Sequence, residues 1–589
     1  MRFPALPLAA AAALPLFAET TAPVNGEIRV QSHIAVPMRD GVKLYADLYR
    51  PRHEGRFPTL ITRTPYGVQR DGMHPAVIAF ARRGYAVLVQ DTRGRYESEG
   101  AWDPFRNEAN DGYDTVEWAA RQPWSTGKVG MHGGSYLAHV QWQAATMRPP
   151  HLTAIFPALA STSIYHNTFS HGGAFKLALA LGWGVVRMPF RIMNPQYWHM
   201  DPYAPEEMKY ENMVWKLPVS TIDLESSGQP VKHFRDWVAH QSYDQYWRAI
   251  SDEERFDKVA VPAYNFGGWF DLLLGGTLNG YTGVRAKGAT EAARKGAKLI
   301  VGPWGHGASQ KFGDLDFGPA AMRDILELEN RWNDHYLKGI DNGIDREPPV
   351  EIFFMGANKW AKFADWPVPG ARVTPFYLDS GGRANSWRGD GVLRRDPPTG
   401  APVDRYSYDP DNPVPSLGGN DCCGAPFPVG PRDQRPVESR NDVLVYTSAE
   451  LAEPLAIAGP VRMKLAASTD GRDTDWMAKL VDVYPDGRAF NVAEGILRAR
   501  FHGGLDKPQP LEPGRSYEFD IDMRGTANVF LPGHRIRVDI TSGNFPQFDR
   551  NPNTGEALGA SSRMRVAKQT VHHGAGKLSR IELPVVTQP

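Results

Sequence analysis

The sequence predicts an α/β domain with a mostly helical insertion, followed by an all-β sandwich of jelly-roll type. Three observations carry this. Short apolar runs alternate with helix-like segments through the first part of the chain. From about residue 160 to 250 that alternation gives way to a stretch dense in aromatics and Met. Beyond about residue 350, Pro and Gly become frequent, long helical periods vanish and short strands recur.

In chain order, "MRFPALPLAAAAALPLFAET" comes first. Arg2 supplies a basic start, Pro4 to Phe17 an apolar run, and Ala18 a small residue for cleavage. Residues 1–18 are therefore expected to be a secretory signal, with an uncleaved anchor as the alternative. No other membrane span is expected, and the expected destination is the periplasm or exterior. "IRVQSHIAVPMRDGVKLYADLYRP" alternates around Asp40-Gly41 and predicts a β-hairpin. Apolar strands are expected at 57–63, 84–91, 127–133, 152–158, 261–268 and 297–303, with helices such as Asp111–Arg121 and Leu137–Met147 between some of them. Buried apolar strands alternating with helices imply a parallel sheet covered on both faces. The catalytic domain is thus placed at 27–160 and 251–345, and the helical cap at 161–250.

The cap carries Tyr165, Phe169, Phe175, Trp183, Phe190, Tyr197, Trp198 and Trp237. A helix over Arg323–Lys338 sets Ile325, Leu328, Trp332 and Tyr336 on one face, and Gly339 stops it. The segments "VEIFFMG", "DVLVYTS", "GPVRMKLAAS", "DWMAKLVDVYP" and "HRIRVDITS" are read as strands of the sandwich, placed at 350–589.

At 589 residues the chain is too long for one ordinary core. Its 42% hydrophobic and 11% aromatic content fits a folded protein. Lys+Arg and Asp+Glu both total 66, which argues against nucleic acid or an anionic membrane as the main partner. A homo-oligomer stays open. Two cysteines, Cys422 and Cys423, are adjacent. A disulfide between neighbours is strained, so no secreted disulfide framework is expected. The pair is read as a loop feature, and metal binding there is not expected.

The chemistry centres on "GMHGGSYLA". Ser135 follows a strand candidate and two glycines, Gly133 and Gly134, and precedes a helix. A serine hydroxyl needs a neutral imidazole to take its proton and a carboxylate to orient that imidazole. "FGGWFDLLLGG" puts Asp271 just past one strand, and "LIVGPWGHG" puts His306 just past another. The order Ser, Asp, His at strand ends is that of an α/β-hydrolase triad. Leu137 stands where a second glycine of G-x-S-x-G would fall, with small Ala138 after it. The backbone N–H of Tyr136 can serve a developing oxyanion, and Tyr66 of "ITRTPYGV" can supply a second donor. Trp269, Leu273 and Phe169 are expected to line the substrate pocket. His166 and His171 lack a convincing ligand set. Arg93, Arg95, Glu97 and Glu99 read as a loop salt-bridge network. No cofactor or metal is expected.

Together "MRDGVKLYADLYRP", "TRTPYG", "QDTRGRYESEG", "NDGYDTVEWAARQPWSTGKVGMHGGSYLA", "GGWFD", "GPWGH" and "DVLVYTS" resemble one family across nearly the whole chain. It is the cocaine esterase / X-Pro dipeptidyl-peptidase group (CocE/NonD), which includes glutaryl acylases and α-amino acid ester hydrolases. The resemblance implies an α/β-hydrolase domain, a helical cap and a C-terminal jelly roll. It implies Ser135 as nucleophile, Asp271 as orienting acid, His306 as base, and Tyr66 and the Tyr136 amide as oxyanion donors. The implied activity is ester or amide hydrolysis, with dipeptidyl-peptidase or acylase chemistry as the alternative. A non-catalytic polymer-binding protein is the remaining one. Members usually carry glycine where Ala138 stands. Members that take α-amino acid esters carry carboxylates shortly after the catalytic Asp, whereas Asp271 is followed by Leu272, Leu273 and Leu274.

Overall fold

The computed structural model describes residues 21–24, 28–72, 75–189, 191–192, 210–423, 425–574 and 576–587. The expected signal, and Phe190, Tyr197 and Trp198 of the cap, lie outside them. Among the described residues, no helix is long and apolar enough to cross a membrane.

One sheet of eleven strands organises the first domain: β1 (Thr21–Val24), β2 (Ile28–Pro37), β3 (Lys43–Pro51), β4 (Phe57–Thr64), β5 (Ala86–Asp91), β6 (Ser125–Gly134), β7 (Leu152–Ala158), β8 (Tyr264–Gly268), β9 (Lys298–Gly302), β10 (Val350–Phe354) and β11 (Lys359–Phe363). They lie in the order β1-β2-β3-β5-β4-β6-β7-β8-β9-β10-β11. From β5 to β10 all neighbours are parallel, and the outer pairs are antiparallel. Every residue of β5, β8 and β9 is buried, because helices cover both faces of the parallel centre. The fold is that of an α/β-hydrolase with a C-terminal β domain.

One boundary needs correction. The segment "VEIFFMG" was expected in the sandwich, yet β10 pairs in parallel with β9, and β11 closes the edge of the first sheet. An apolar run packs equally well as a sandwich strand or as a parallel edge, so composition alone misassigns it. The sandwich strands begin at Arg372. The helix expected over Arg323–Lys338 starts at Ile325, where the Asp324 side chain accepts from the Glu327 N–H at 2.9 Å. Its last, wider turn ends at Gly339 in the left-handed region (φ 74°).

The insertion after β7 is built of short helical pieces, including Ile164–Phe169, Ala180–Arg187 and Lys232–Ala239. They enclose an aromatic core of Phe169, Trp183, Phe234 and Trp237, with Phe169 and Trp237 stacked at 3.8 Å. A small hairpin, Ser170–His171 with Ala174–Phe175, pushes into the β domain. There the His171 imidazole meets the Asp522 carbonyl at 2.8 Å, and a Cβ at Gly172 would collide with the Ile496 carbonyl. The Asp549 carboxylate takes both the Phe175 N–H and the buried Arg498 guanidinium.

Eleven strands between Arg372 and Val586 form the β domain in one hydrogen-bonded network. Its two most buried strands, Asp475–Val483 and Ala489–Arg498, have no exposed residue. A surface strand such as Val403–Tyr408 alternates inward and outward. The Met355 N–H to Ala527 carbonyl bond joins the two domains just past β10.

Candidate active site

Ser135 sits at the turn from β6 into the helix Tyr136–Thr146, with φ 64° and ψ −123°. A residue with a side chain pays about 1–3 kcal/mol for such a backbone, which persists only where its surroundings impose it. Here they do. The Ser135 N–H donates to the Ala158 carbonyl of β7 at 2.9 Å, and the Ser135 carbonyl accepts from the Ala138 and His139 amides. Gly133 has φ 121°, and a Cβ there would stand 2.8 Å from Leu137 Cβ. Gly134 is less constrained, since its Cβ would come no closer than 3.4 Å to anything. Ala138 is fully buried beside this turn.

His306 follows β9 and Asp271 follows β8, so the parallel sheet delivers both to the same end as Ser135. The Nε2 of His306 lies 2.8 Å from Ser135 Oγ, and its Nδ1 lies 2.7 Å from Asp271 Oδ1. Asp271 is fully buried. Its loop is fixed from within by the Asp271 N–H to Gly268 carbonyl bond, and from outside by the β domain. The Asn420 side-chain amide donates to the Trp269 and Asp271 carbonyls at 2.9 and 3.0 Å. The Arg524 guanidinium donates to the Leu272 carbonyl at 3.2 Å.

Tyr66 stands at the rim of the same space. Its hydroxyl accepts from the Trp183 indole N–H at 3.2 Å. The indole only donates, so the phenol keeps its own proton to give elsewhere. Burial pushes its pKa upward, which keeps that proton in place. The Tyr136 hydroxyl is engaged, donating to Glu108 at 2.7 Å, and Glu108 pairs with buried Arg63 at 2.7 Å.

A pocket of about 520 Å³, open mouth included, lies over Ser135 and His306. Leu273 and Phe169 line it as expected, together with Ile164, Leu179 and Leu272. Trp269 does not. It is buried under the sheet edge, donates from its indole to the Phe353 carbonyl at 2.8 Å and packs on Trp366. Its place next to the acid loop gave the wrong expectation, because the residue points back into the domain junction. Among the described residues that line it there is no Asp or Glu. Sequence reasoning missed the pocket roles of Phe105, Trp183 and Arg187. Burial lowers the Arg187 pKa to about 10, so it remains a cation at neutral pH.

The adjacent cysteines also need correction. Cys422 and Cys423 are bonded to each other and form part of the pocket wall. Their sulfurs and a nitrogen of His306 all lie within 4.8 Å of one another, and among the described residues this is the group of three that could hold a metal. His166 and His171 are structural, packed on Tyr243 and on the β domain respectively. The loop charges form pairs: Arg93 with Asp40 and Asp111, and Glu97 with His33. Arg95 is fully buried and donates to the Pro65 carbonyl.

Comparison with known proteins agrees with this architecture. Residues 40–308 match the X-Pro dipeptidyl-peptidase (S15 family) model, and residues 342–582 match the X-Pro dipeptidyl-peptidase C-terminal non-catalytic domain. Cocaine esterase of Rhodococcus sp. (strain MB1 Bresler) is 37% identical over 580 residues, covering 96% of this chain and all of the relative. A solved α-amino acid ester hydrolase superposes with a TM-score of 0.82 at 25% identity, covering 98% of this chain and 100% of that one. An aminopeptidase from a marine sediment archaeon, Thaumarchaeota archaeon, gives 0.81 at 25% identity, covering 99% and 98%.

Proposed function

Because the chain is a serine hydrolase that belongs to the X-Pro dipeptidyl-peptidase (S15) family, we propose that it cleaves carboxylic esters or amides through an acyl-enzyme on Ser135. The observation that carries this is the unbroken chain of contacts from Asp271 through His306 to Ser135 at the floor of the pocket. Ser135 Oγ attacks the substrate carbonyl while His306 Nε2 takes its proton. Asp271 holds the ring and stabilises the imidazolium. The Tyr136 N–H and the Tyr66 O–H receive the oxyanion. His306 then protonates the leaving oxygen or nitrogen. Water, deprotonated by His306 in turn, releases the acid through a second oxyanion in the same place.

The pocket supports an apolar or aromatic acyl group. Leu272, Leu273, Ile164, Leu179 and Phe169 reward burial of such a group at about 0.8 kcal/mol per methylene. A free ammonium would meet no carboxylate among the described lining residues. That ranks an ester or amide of a neutral acid ahead of X-Pro dipeptides or α-amino acid esters. The vicinal disulfide and the sequence of residues 1–18 support a place outside the cytoplasm, in the periplasm or beyond.

The test is a fluorophosphonate probe applied to the protein and to Ser135→Ala, with the label located by peptide mass. Label on Ser135 alone, absent in the variant, is expected. Folded protein that takes no label would sink the mechanism and bring forward a non-catalytic binding role. An aryl ester of a neutral acid should then be turned over faster than a dipeptide-Pro anilide.

A further inference from the structure

The pocket wall beside His306 holds a disulfide between adjacent residues, and its position is not accidental. Asn420 donates to the carbonyls of Trp269 and Asp271, and the Cys422 N–H donates to Asp421. The contacts that fix the acid loop therefore also fix the loop carrying the two sulfurs. Cys423 is held in the left-handed region at φ 59°, a backbone that a non-glycine residue adopts only at a cost. Both sulfurs thus stand next to the imidazole, all within 4.8 Å of one another.

We propose that, once the Cys422–Cys423 bond is reduced, the two thiolates and His306 form a binding site for a thiophilic divalent cation such as Zn²⁺, and that its occupancy silences the hydrolase. The inference rests on the role given above to His306. Reduction needs a dithiol. One of its thiolates attacks a cysteine sulfur and breaks the S–S bond to give a mixed disulfide. Its second thiol then closes the reductant into a cyclic disulfide, leaving two cysteine thiols. The cation takes both sulfurs as thiolates, and two protons go to solvent.

Three features of the site suit such an ion. Zinc bonds of about 2.3 Å to sulfur and about 2.0 Å to nitrogen put tetrahedral donors roughly 3.5–3.8 Å apart, so donors already within 4.8 Å need little movement. Opening the disulfide moves the sulfurs apart, toward that spacing. The ring of His306 is already held through Nδ1 by Asp271 at 2.7 Å, the carboxylate–histidine arrangement that orients an imidazole and raises its basicity toward a metal. The other ring nitrogen, Nε2, meets Ser135 at 2.8 Å. A cation on Nε2 uses the lone pair that would take the serine proton, so binding and catalysis exclude each other.

The experiment uses the full chain, reduced with excess dithiol and desalted without oxygen, then titrated with Cd²⁺. One equivalent should bind with thiolate-to-metal charge-transfer absorption in the ultraviolet. Aryl-ester turnover should fall at least tenfold in parallel and return with a chelator. Unreduced protein should show neither change. Ser135→Ala, though inactive, should keep the absorption, so a failed catalytic reading and a failed metal site give different results. Asp271→Asn should weaken Cd²⁺ binding by about tenfold or more, as loss of a carboxylate behind a metal-bound histidine does elsewhere. Cys422→Ser/Cys423→Ser, or wild type alkylated after reduction, should lose the absorption. No absorption from reduced, folded protein would overturn the proposal. So would equal inhibition of the reduced and unreduced forms.

Discussion

Tyr66→Phe separates the chemistry of the oxyanion site from its packing. The change deletes one oxygen and leaves the ring, so it opens no sizeable cavity. What it removes from the fold is the acceptor for the Trp183 indole N–H, a bond of 3.2 Å. Such a bond contributes about 0.5–1.5 kcal/mol, and leaving the buried donor unpaired costs about 1–3 kcal/mol. The variant therefore stays folded, with a modestly lower Tm. The loss in rate is of another kind. A preorganised oxyanion donor is worth about 2.7–4 kcal/mol of barrier, or roughly 10²–10³ in kcat. The phenol meets the charge only after attack, so kcat should fall by that factor while KM for an aryl ester changes little. Trp183→Phe is the control. It keeps the phenol and removes its indole partner, so it should retain most of the turnover. If Tyr66→Phe turns over within about threefold of wild type, the donor role of Tyr66 is refuted.

Three more outcomes follow from particular contacts. Gly133→Ala puts a side chain at φ 121° and a Cβ 2.8 Å from Leu137, so it should cost about 1–3 kcal/mol by thermal unfolding and lower kcat as the turn shifts; an unchanged Tm would show that the turn does not need glycine there. Asn420→Ala leaves the Trp269 and Asp271 carbonyls without their cross-domain donor, so kcat should drop with KM near normal, and a variant with full kcat would show that Asp271 holds its place unaided. Burial raises the Asp91 pKa to about 8 from an ordinary 3.8, so the folded state holds a proton that the unfolded chain has lost between those values. Stability then falls as pH rises through that window. Asp91→Asn does not titrate and keeps an acceptor for the Val68 N–H. Its Tm advantage over wild type should therefore be larger at pH 8 than at pH 5, and an advantage independent of pH would contradict the burial argument.

The residues brought together at Ser135 were legible because each lies within a few positions of its own apolar strand. β8 and β9 are continuous buried runs, β6 is buried over residues 129–132, and a parallel sheet sends the ends of such runs to one edge. The stop at Gly339 was legible for the same local reason. What failed was everything decided by a distant partner. β10 read as a sandwich strand because nothing in "VEIFFMG" says that β9 lies beside it. Trp269 follows the motif of the acid loop but turns toward Phe353, far along the chain. Cys422 and Cys423 read as loop residues because the contact that brings them to His306 runs through Asn420 to carbonyls some 150 positions earlier.

These failures share a cause that bears on mechanism. The acid loop is held from its own domain by the Trp269, Phe270 and Asp271 N–H groups on the Gly302, Trp304 and Gly268 carbonyls, and from the β domain through Asn420 and Arg524. The cap is wedged against the same domain at Gly172, His171 and Asp549. The domain that carries none of Ser135, His306 and Asp271 therefore helps to set the position of Asp271, one wall of the pocket and the seat of the cap. Catalytic geometry here belongs to the junction of three parts. Substitutions at that junction should act on kcat through Asp271 and His306 even where they touch no substrate, and Asn420 is the residue where that coupling is narrowest.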